Sequence, residues 1–374
     1  MVGKRKDEIY NWYEKNKDAT FLNRGSFKSA HKYDNETVLT FENIQPGASL
    51  KLPDYIKLMG QLYSLEEPLL KNLLLPAEYF QSGKNGRDFR IQLLPFCRSG
   101  GYSDLFDFLY DPDNNGVWKT LNKTDILKNC ASILHTIYEL HNKFISCMDI
   151  KPENVFVGCK GKNMFSLGDV DGFHIFKDKT TMYKNSRCVT TSGYFVAGRK
   201  GSHLKAMEDP NGVRAWRGRG LGGPQSDYYA WLVIFLMVYM RFVTGRFDEY
   251  ADFFGTFAVE SYGINLGTEK HRYSTDEYNK NYKNKLKKHM RDDELLKLLL
   301  IAIEKCKNEV MYLPNTPYYY GKEEGPTNFY NTFIKPIIDK ANGLTEKWGK
   351  APSLGDKVKK MKDAAYEKGH KAYE

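Results

Sequence analysis

Residues 147–156 read Cys-Met-Asp-Ile-Lys-Pro-Glu-Asn-Val-Phe, and no other stretch constrains this chain as strongly. An acid at Asp149, a lysine at Lys151 and an amide at Asn154 form one chemical set. Asp149 could accept a proton from a hydroxyl nucleophile, Lys151 could neutralise a phosphoryl group as charge shifts, and Asn154 could hold a magnesium ion. Fifteen residues after Asn154 comes Asp169, within Ser-Leu-Gly-Asp-Val-Asp-Gly-Phe. A carboxylate there could supply a second oxygen ligand to such an ion, with Asp171 as the weaker alternative. The pattern is short, but the spacing of the second acid makes chance a poor explanation.

A chain of 374 residues is long enough for two lobes, or two to three small domains, around a sizeable core. Hydrophobic residues make up 41% and charged residues 27%, which is a globular composition. The net charge of +10 favours an acidic partner such as ATP, a nucleic acid, an anionic membrane face or a polyphosphate. Many basic soluble proteins bind nothing in particular, so charge alone does not choose. Six cysteines (97, 130, 147, 159, 188 and 306) are scattered with no Cys-x-x-Cys spacing. That argues against a zinc site and a disulfide scaffold, and suits a reducing, cytoplasmic compartment. The opening residues Met-Val-Gly-Lys-Arg-Lys-Asp-Glu are too charged for a secretory leader. The longest apolar run, residues 228–240, is too short to span a bilayer and reads as a buried core helix, so no transmembrane segment is expected.

Periodicity organises the rest. Residues 5–17 read as a short polar helix with aromatics on one side, and 20–45 as strands. Residues 53–73 have helical apolar spacing through Ile56, Leu58, Met59, Leu62 and Leu65. Strands follow at 75–80 and 89–96, separated by the turn Gln-Ser-Gly-Lys-Asn-Gly at 81–86. Residues 123–143 place Ile126, Leu127, Cys130, Ile133, Leu134, Ile137 and Leu140 at helical spacing, ending just before the 147–156 loop. Beyond them the chain is helical, and from about residue 340 it is Lys-rich and interrupted by Gly and Pro. The expected class is α+β.

These features resemble eukaryotic-type protein kinases from about residue 20 to at least 245, and on to about 340. The resemblance implies a bilobal fold, with a small β-rich lobe at 19–98 and a larger helical lobe at 99–340. A long activation segment would occupy 169–226, with an extension at 1–18 and a basic tail at 341–374. Arg24-Gly-Ser-Phe-Lys28 looks like the phosphate loop, with one surviving glycine at Gly25. Ala30 matches the position that covers adenine. Asp104 would sit near the ribose hydroxyls or cap the next helix. Asp227, in Ser-Asp-Tyr-Tyr-Ala-Trp, would bond to the catalytic-loop backbone and is structural.

The chain also departs from that family. The strand at 37–43 reads Thr-Val-Leu-Thr-Phe-Glu-Asn, so Phe41 stands where the resemblance expects a phosphate-pairing lysine, and residues 33–50 hold no Lys or Arg. Lys28 offers a replacement. Lys28, Ala30 and Lys32 share a strand face, and Lys28 is nearest the phosphates. This arrangement resembles the with-no-lysine kinases. The expected helix window at 55–62 contains neither Glu nor Asp; Gln61 lies there, with Asp54, Glu66 and Glu67 nearby. Either one of those acids reaches Lys28 or the ion pair is missing, in which case an activating ligand becomes necessary. Met148 replaces the arginine that grips an activation-loop phosphate.

The resemblance implies an atypical Ser/Thr protein kinase that uses ATP with Mg2+ or Mn2+ and transfers the γ-phosphate to protein hydroxyls. Asp149 and Lys151 would be catalytic, Asn154 and Asp169 would bind metal, and Gly25, Lys28, Ala30 and Asp104 would bind ATP. A pseudokinase scaffold is the first alternative. A small-molecule or lipid kinase, or a nucleotidyl transferase, is the second. The basic stretch from Arg199 to Arg219 is either an anion or substrate site or a solvated loop. Lysines cluster at 283, 285, 287 and 288, and again at 357, 359, 360 and 362. They could recruit an inositol polyphosphate or anionic lipid, or form solvated helix faces; a nucleic acid is the weakest partner because no groove-binding motif occurs.

Overall fold

The structure, a computed structural model, describes residues 2–24, 28–44, 51–84, 87–97, 104–110, 122–159, 161–178, 182, 223–250, 284–307, 311 and 315–349. It is a mixed α+β architecture. A helix α1 (Val2–Asn16) precedes strands β1 (Phe21–Arg24), β2 (Lys28–Lys32) and β3 (Thr37–Asn43). Helix α2 (Leu52–Tyr63) and the short α3 (Glu67–Leu70) lead into β4 (Glu78–Lys84) and β5 (Arg87–Pro95). The five strands form one antiparallel sheet in the order β1-β2-β3-β5-β4. The turn expected at 81–86 is mostly strand, because Gln81 and Ser82 pair with Arg90 and Phe89.

Alternation gives the sheet two unlike faces. Directly opposed residues share a face, so Ser29, Phe41, Ile91 and Phe80 form one row, and His31, Leu39, Leu93 and Glu78 the next. Helix α1 covers this side. Ile9 and Tyr13 are buried with Leu39, Phe89, Ile91 and Leu93, and the Tyr13 ring stacks on Phe41 at 4.3 Å. Arg5 clamps Glu78 through two hydrogen bonds of 2.7 and 2.6 Å. The other face carries Lys28, Glu42, Arg90 and Gln81, then Ala30, Thr40, Gln92 and Tyr79. Phe41 therefore does not occupy the site-facing position expected of it; Thr40 and Glu42 flank it on that side.

Helix α2 packs Tyr55, Leu58, Met59 and Leu62 inward. The apolar spacing placed Ile56 inward too, but Ile56 is 51% exposed and Tyr55 takes its place. The reason is polar. Tyr55 lies under a face bearing Gln92 and Arg90, and its hydroxyl accepts from Gln92 Nε2 at 2.8 Å, which an isoleucine could not do.

After α4 (Leu105–Tyr110) comes α5 (Lys123–Asn142), whose N-terminus is capped by the Asn122 side chain accepting from Thr124 N at 2.9 Å. Its seven expected apolar positions are all buried. Short strands β6 (Ile145–Ser146), β7 (Val155–Val157), β8 (Phe165–Leu167) and β9 (His174–Ile175) form two two-stranded sheets, β6–β9 and β7–β8, around the 147–156 loop. Helix α6 (Pro224–Val238) opens with proline in its first turn and is buried along its whole length. The helix Pro224–Thr244 is long and apolar enough to cross a membrane by length and composition, yet 78% of its apolar window is buried inside the fold. Trp231 anchors it, donating Nε1 to the Cys130 carbonyl at 3.0 Å. Helices α7 (Asn284–Met290), α8 (Glu294–Lys307), α9 (Gly325–Phe329) and α10 (Lys335–Gly349) complete the helical core. The tail set at 341–374 begins inside α10, where Ala341 is fully buried, so packed structure continues past that boundary.

One cysteine pair corrects the reading of scattered thiols. Cys97 and Cys159 form a disulfide, while Cys130, Cys147 and Cys306 are buried thiols. An antiparallel bridge between residues 97 and 159 brings the pair together across 62 residues of sequence, which no spacing motif announces.

Candidate active site

The loop that carries Asp149 is held from beneath. Asp227, at the start of α6, is buried and accepts four hydrogen bonds: from Ser146 Oγ at 2.7 Å, Cys147 N at 2.8 Å, Met148 N at 2.9 Å and His141 Nε2 at 3.0 Å. Two of these donors are loop amides, and between them they fix the backbone at Met148, whose φ of 66° is left-handed. Such a conformation persists in a non-glycine residue only where neighbours over-determine it. The Met148 side chain joins Phe144, Phe176 and Met182 in a small apolar cluster, so an apolar contact stands where the resembled family would place an arginine.

Above that support the polar set converges. Lys151 Nζ lies 3.0 Å from Asp149 Oδ2. Asn154, closing a short 3-10 turn, donates Nδ2 to the Asp149 carbonyl at 2.9 Å and to Asp149 Oδ2 at 3.3 Å. The Asn154 carbonyl accepts from Gly168 N at 2.8 Å, which brings Asp169 within one residue of the loop. A Cβ at 168 would overlap the Phe156 ring, so a larger residue there would have to displace it. Asp169 itself is left-handed, with φ 52° and ψ 39°, and its carbonyl accepts from Gly172 N at 2.9 Å. Its side chain is 41% exposed.

Lys28 reaches this turn from the sheet. Its Nζ pairs with Asp169 Oδ1 and lies 2.5 Å from Asp171 Oδ2. The Lys28 side chain is 23% exposed. Burial works to lower its pKa, but the charges of Asp169 and Asp171 outweigh burial and raise it, so the ammonium is firmly protonated. Burial likewise works to raise the Asp171 pKa, and the Lys28 and then Arg90 charges hold it below the ordinary carboxylate value. Lys32 is exposed. Ala30 lies two residues along from Lys28 on the same face. Gly25 lies outside the described residues, as do the 199–219 basic stretch, Lys283 and the lysines at 357–362; Lys288 is exposed.

None of the nearby acids (Asp54, Glu66, Glu67) pairs with Lys28. Glu67 instead pairs with Lys71 at 3.2 Å. The group that sequence reasoning missed is Arg90. It is 1% exposed, 3.1 Å from Glu42 and 3.9 Å from Asp171, with Nη2 donating to Gln81 Oε1 at 3.2 Å and its guanidinium 4.1 Å from the Tyr55 ring. The signal was present: Arg90 and Gln92 fall in the polar phase of Phe89, Ile91 and Leu93.

Asp104 caps α4, accepting from Asp107 N at 3.1 Å, and burial pushes its pKa up to about 6. A bridge between Asp104 and Phe156 places it beside the 147–156 loop.

Among the described residues no group of three or more His, Cys, Asp or Glu is arranged to hold a metal. The donors present are a half-exposed carboxylate at Asp169 and an amide at Asn154. Such a sparse, hard-oxygen set fits magnesium, which takes one or two carboxylates and completes its shell with water and substrate phosphates. No protein-family model matches the chain, and no curated protein matches it.

Proposed function

We propose that this protein is an atypical Ser/Thr protein kinase with a bilobal kinase-like fold, in which the sheet and the helical core enclose ATP. The observation that carries the reading is the meeting of Lys28, from β2, with Asp169 beside the Asp149, Lys151 and Asn154 loop. Four polar groups needed for phosphoryl transfer thus sit on one buttressed loop and turn, with a cation supplied from the sheet.

Asp149 orients the acceptor hydroxyl and takes its proton as the oxygen bonds to the γ-phosphorus. The bond from that phosphorus to the bridging oxygen breaks, and ADP leaves. Lys151, already beside Asp149, offsets charge on the transferring phosphoryl. Lys28 exchanges its carboxylate partners for phosphate oxygens. Asn154 and Asp169 supply the oxygens that would hold magnesium, whose charge when bound offsets that of the phosphates. Positioning and charge stabilisation account for most of the rate in such chemistry.

The test is incubation of purified protein with γ-labelled ATP, magnesium and a generic acceptor protein, with and without inositol polyphosphate. Asp149→Ala and Asp169→Ala should each lower transfer about 100-fold or more while the circular dichroism spectrum stays unchanged. Lys28→Met should cost far more than Lys32→Met; the reverse order would sink the role given to Lys28. Nucleotide binding without transfer under every condition would instead favour a scaffold that keeps the fold and lacks the reaction.

A further inference from the structure

We propose that Arg90 is the positioning residue of this site: it fixes Asp171, and through Asp171 the turn at 169–172 that presents Asp169. The inference rests on the kinase reading for what Asp169 does, but its geometry stands without it.

The two acids of the turn have unlike surroundings. Asp169 is 41% exposed; Asp171 is 6% exposed and lies against the sheet cations Lys28 and Arg90. Lys28 touches both. Once Lys28 turns to phosphate, Asp169 loses that contact and Asp171 shares its partner with an anion. Arg90 is the cation that does not move. Glu42, opposite it on β3, and Gln81, opposite it on β4, hold the guanidinium from both sides, and the Tyr55 ring closes its face. A planar, multidentate cation suits this three-sided seat, which a lysine ammonium could not fill in the same way. The contact also crosses elements: β5 carries Arg90, α2 carries Tyr55, and the turn carries Asp171. A shift of α2 would therefore reach Asp169 through Tyr55, Arg90 and Asp171, a route that replaces a direct acid from α2 to Lys28.

Two readouts test this in the full-length protein. The first needs no nucleotide: hydrogen exchange of the Gly172 and Phe173 amides, which close the turn onto the Asp169 and Val170 carbonyls. In Asp171→Asn and in Arg90→Gln these amides should exchange at least tenfold faster, and Arg90→Lys should recover only part of the protection. The second is ATP binding by calorimetry across a magnesium series. The half-saturating magnesium concentration should rise at least tenfold in both variants, and the double variant should be no worse than either single one. Should Arg90→Gln lose its fold by circular dichroism, Arg90→Lys carries both arms, because Asp171→Asn also disturbs the Lys28 contact. Unchanged exchange in Asp171→Asn, or a double variant whose effects multiply, would overturn the role of Arg90. A wild type that binds no ATP would remove the kinase reading, and the exchange arm would still decide whether Arg90 holds the turn.

Discussion

Asp104 shows how a single carboxyl can serve one purpose at the expense of another. Its oxygen caps α4, while burial pushes its pKa from 3.8 up to about 6. The folded state therefore holds this proton more tightly than the unfolded chain. The associated stability is fully present below the unfolded value and is lost as pH rises through about 6. Asparagine caps as well as aspartate and never ionises. Asp104→Asn should accordingly be more stable than wild type at pH 8, by about 1 kcal/mol after allowing for solvent screening of a half-buried group. The difference should close near pH 4, and urea unfolding at the two pH values measures it. A gap that stays constant would assign the effect to packing. At this scale the sequence was legible where chemistry fixes spacing: Asp149, Lys151 and Asn154 meet through short local bonds, and the bond from Gly168 N to the Asn154 carbonyl sets Asp169 one residue away. Arg90 was not found because Glu42 and Asp171 are far away in sequence, and because Glu42 and Gln81 come opposite it only through strand register.

Among the elements, α1 has the clearest consequence. The helix was expected from its aromatic periodicity, but periodicity does not say what the aromatic side covers. In the structure it covers the far face of the sheet, where Tyr13 stacks on Phe41 and Ile9 packs with Leu39, Phe89, Ile91 and Leu93. The same five strands carry Lys28 and Arg90 on their other face, so α1 supports the site from behind. Tyr13→Ala should lower the unfolding free energy by about 3 kcal/mol, the usual cost of deleting a large buried aromatic. Chemical denaturation checks this; a loss under about 0.5 kcal/mol, typical of a surface residue, would mean the helix is not docked in solution. The exchange of Ile56 for Tyr55 on α2 belongs to the same scale. Hydropathy ranks isoleucine above tyrosine, but the face above α2 is polar and requires a hydroxyl and a ring.

At the scale of the whole molecule, the sheet and the helical core are joined at two kinds of place. One kind is dry. Asn72 is buried, donates to Ser132 Oγ at 2.6 Å and Thr136 Oγ1 at 2.9 Å, and accepts from Asn129 at 3.1 Å and Asn163 at 2.7 Å. Its neighbours Leu73 and Leu74 bridge to Leu167. The Cys97–Cys159 disulfide is the second dry joint, tying the chain just past β5 to the end of β7. The other kind, Lys28 with Asp169 and Asp171, is charged and includes a carboxylate that is 41% exposed. This division predicts that the dry joints govern stability, while the charged one governs the nucleotide response that the proposed function requires. A cross-link closing 62 residues restricts the unfolded chain by about 4 kcal/mol in the loop-entropy picture. The double variant Cys97→Ala/Cys159→Ala should therefore remain folded, since the Asn72 cluster persists, but unfold at lower denaturant by an amount approaching that figure. Wild-type protein treated with dithiothreitol should fall to the same midpoint, and the double variant should not respond to it. Equal midpoints with and without reductant in wild type would show that the pair does not cross-link in solution, and would leave the Asn72 cluster as the joint that carries the load.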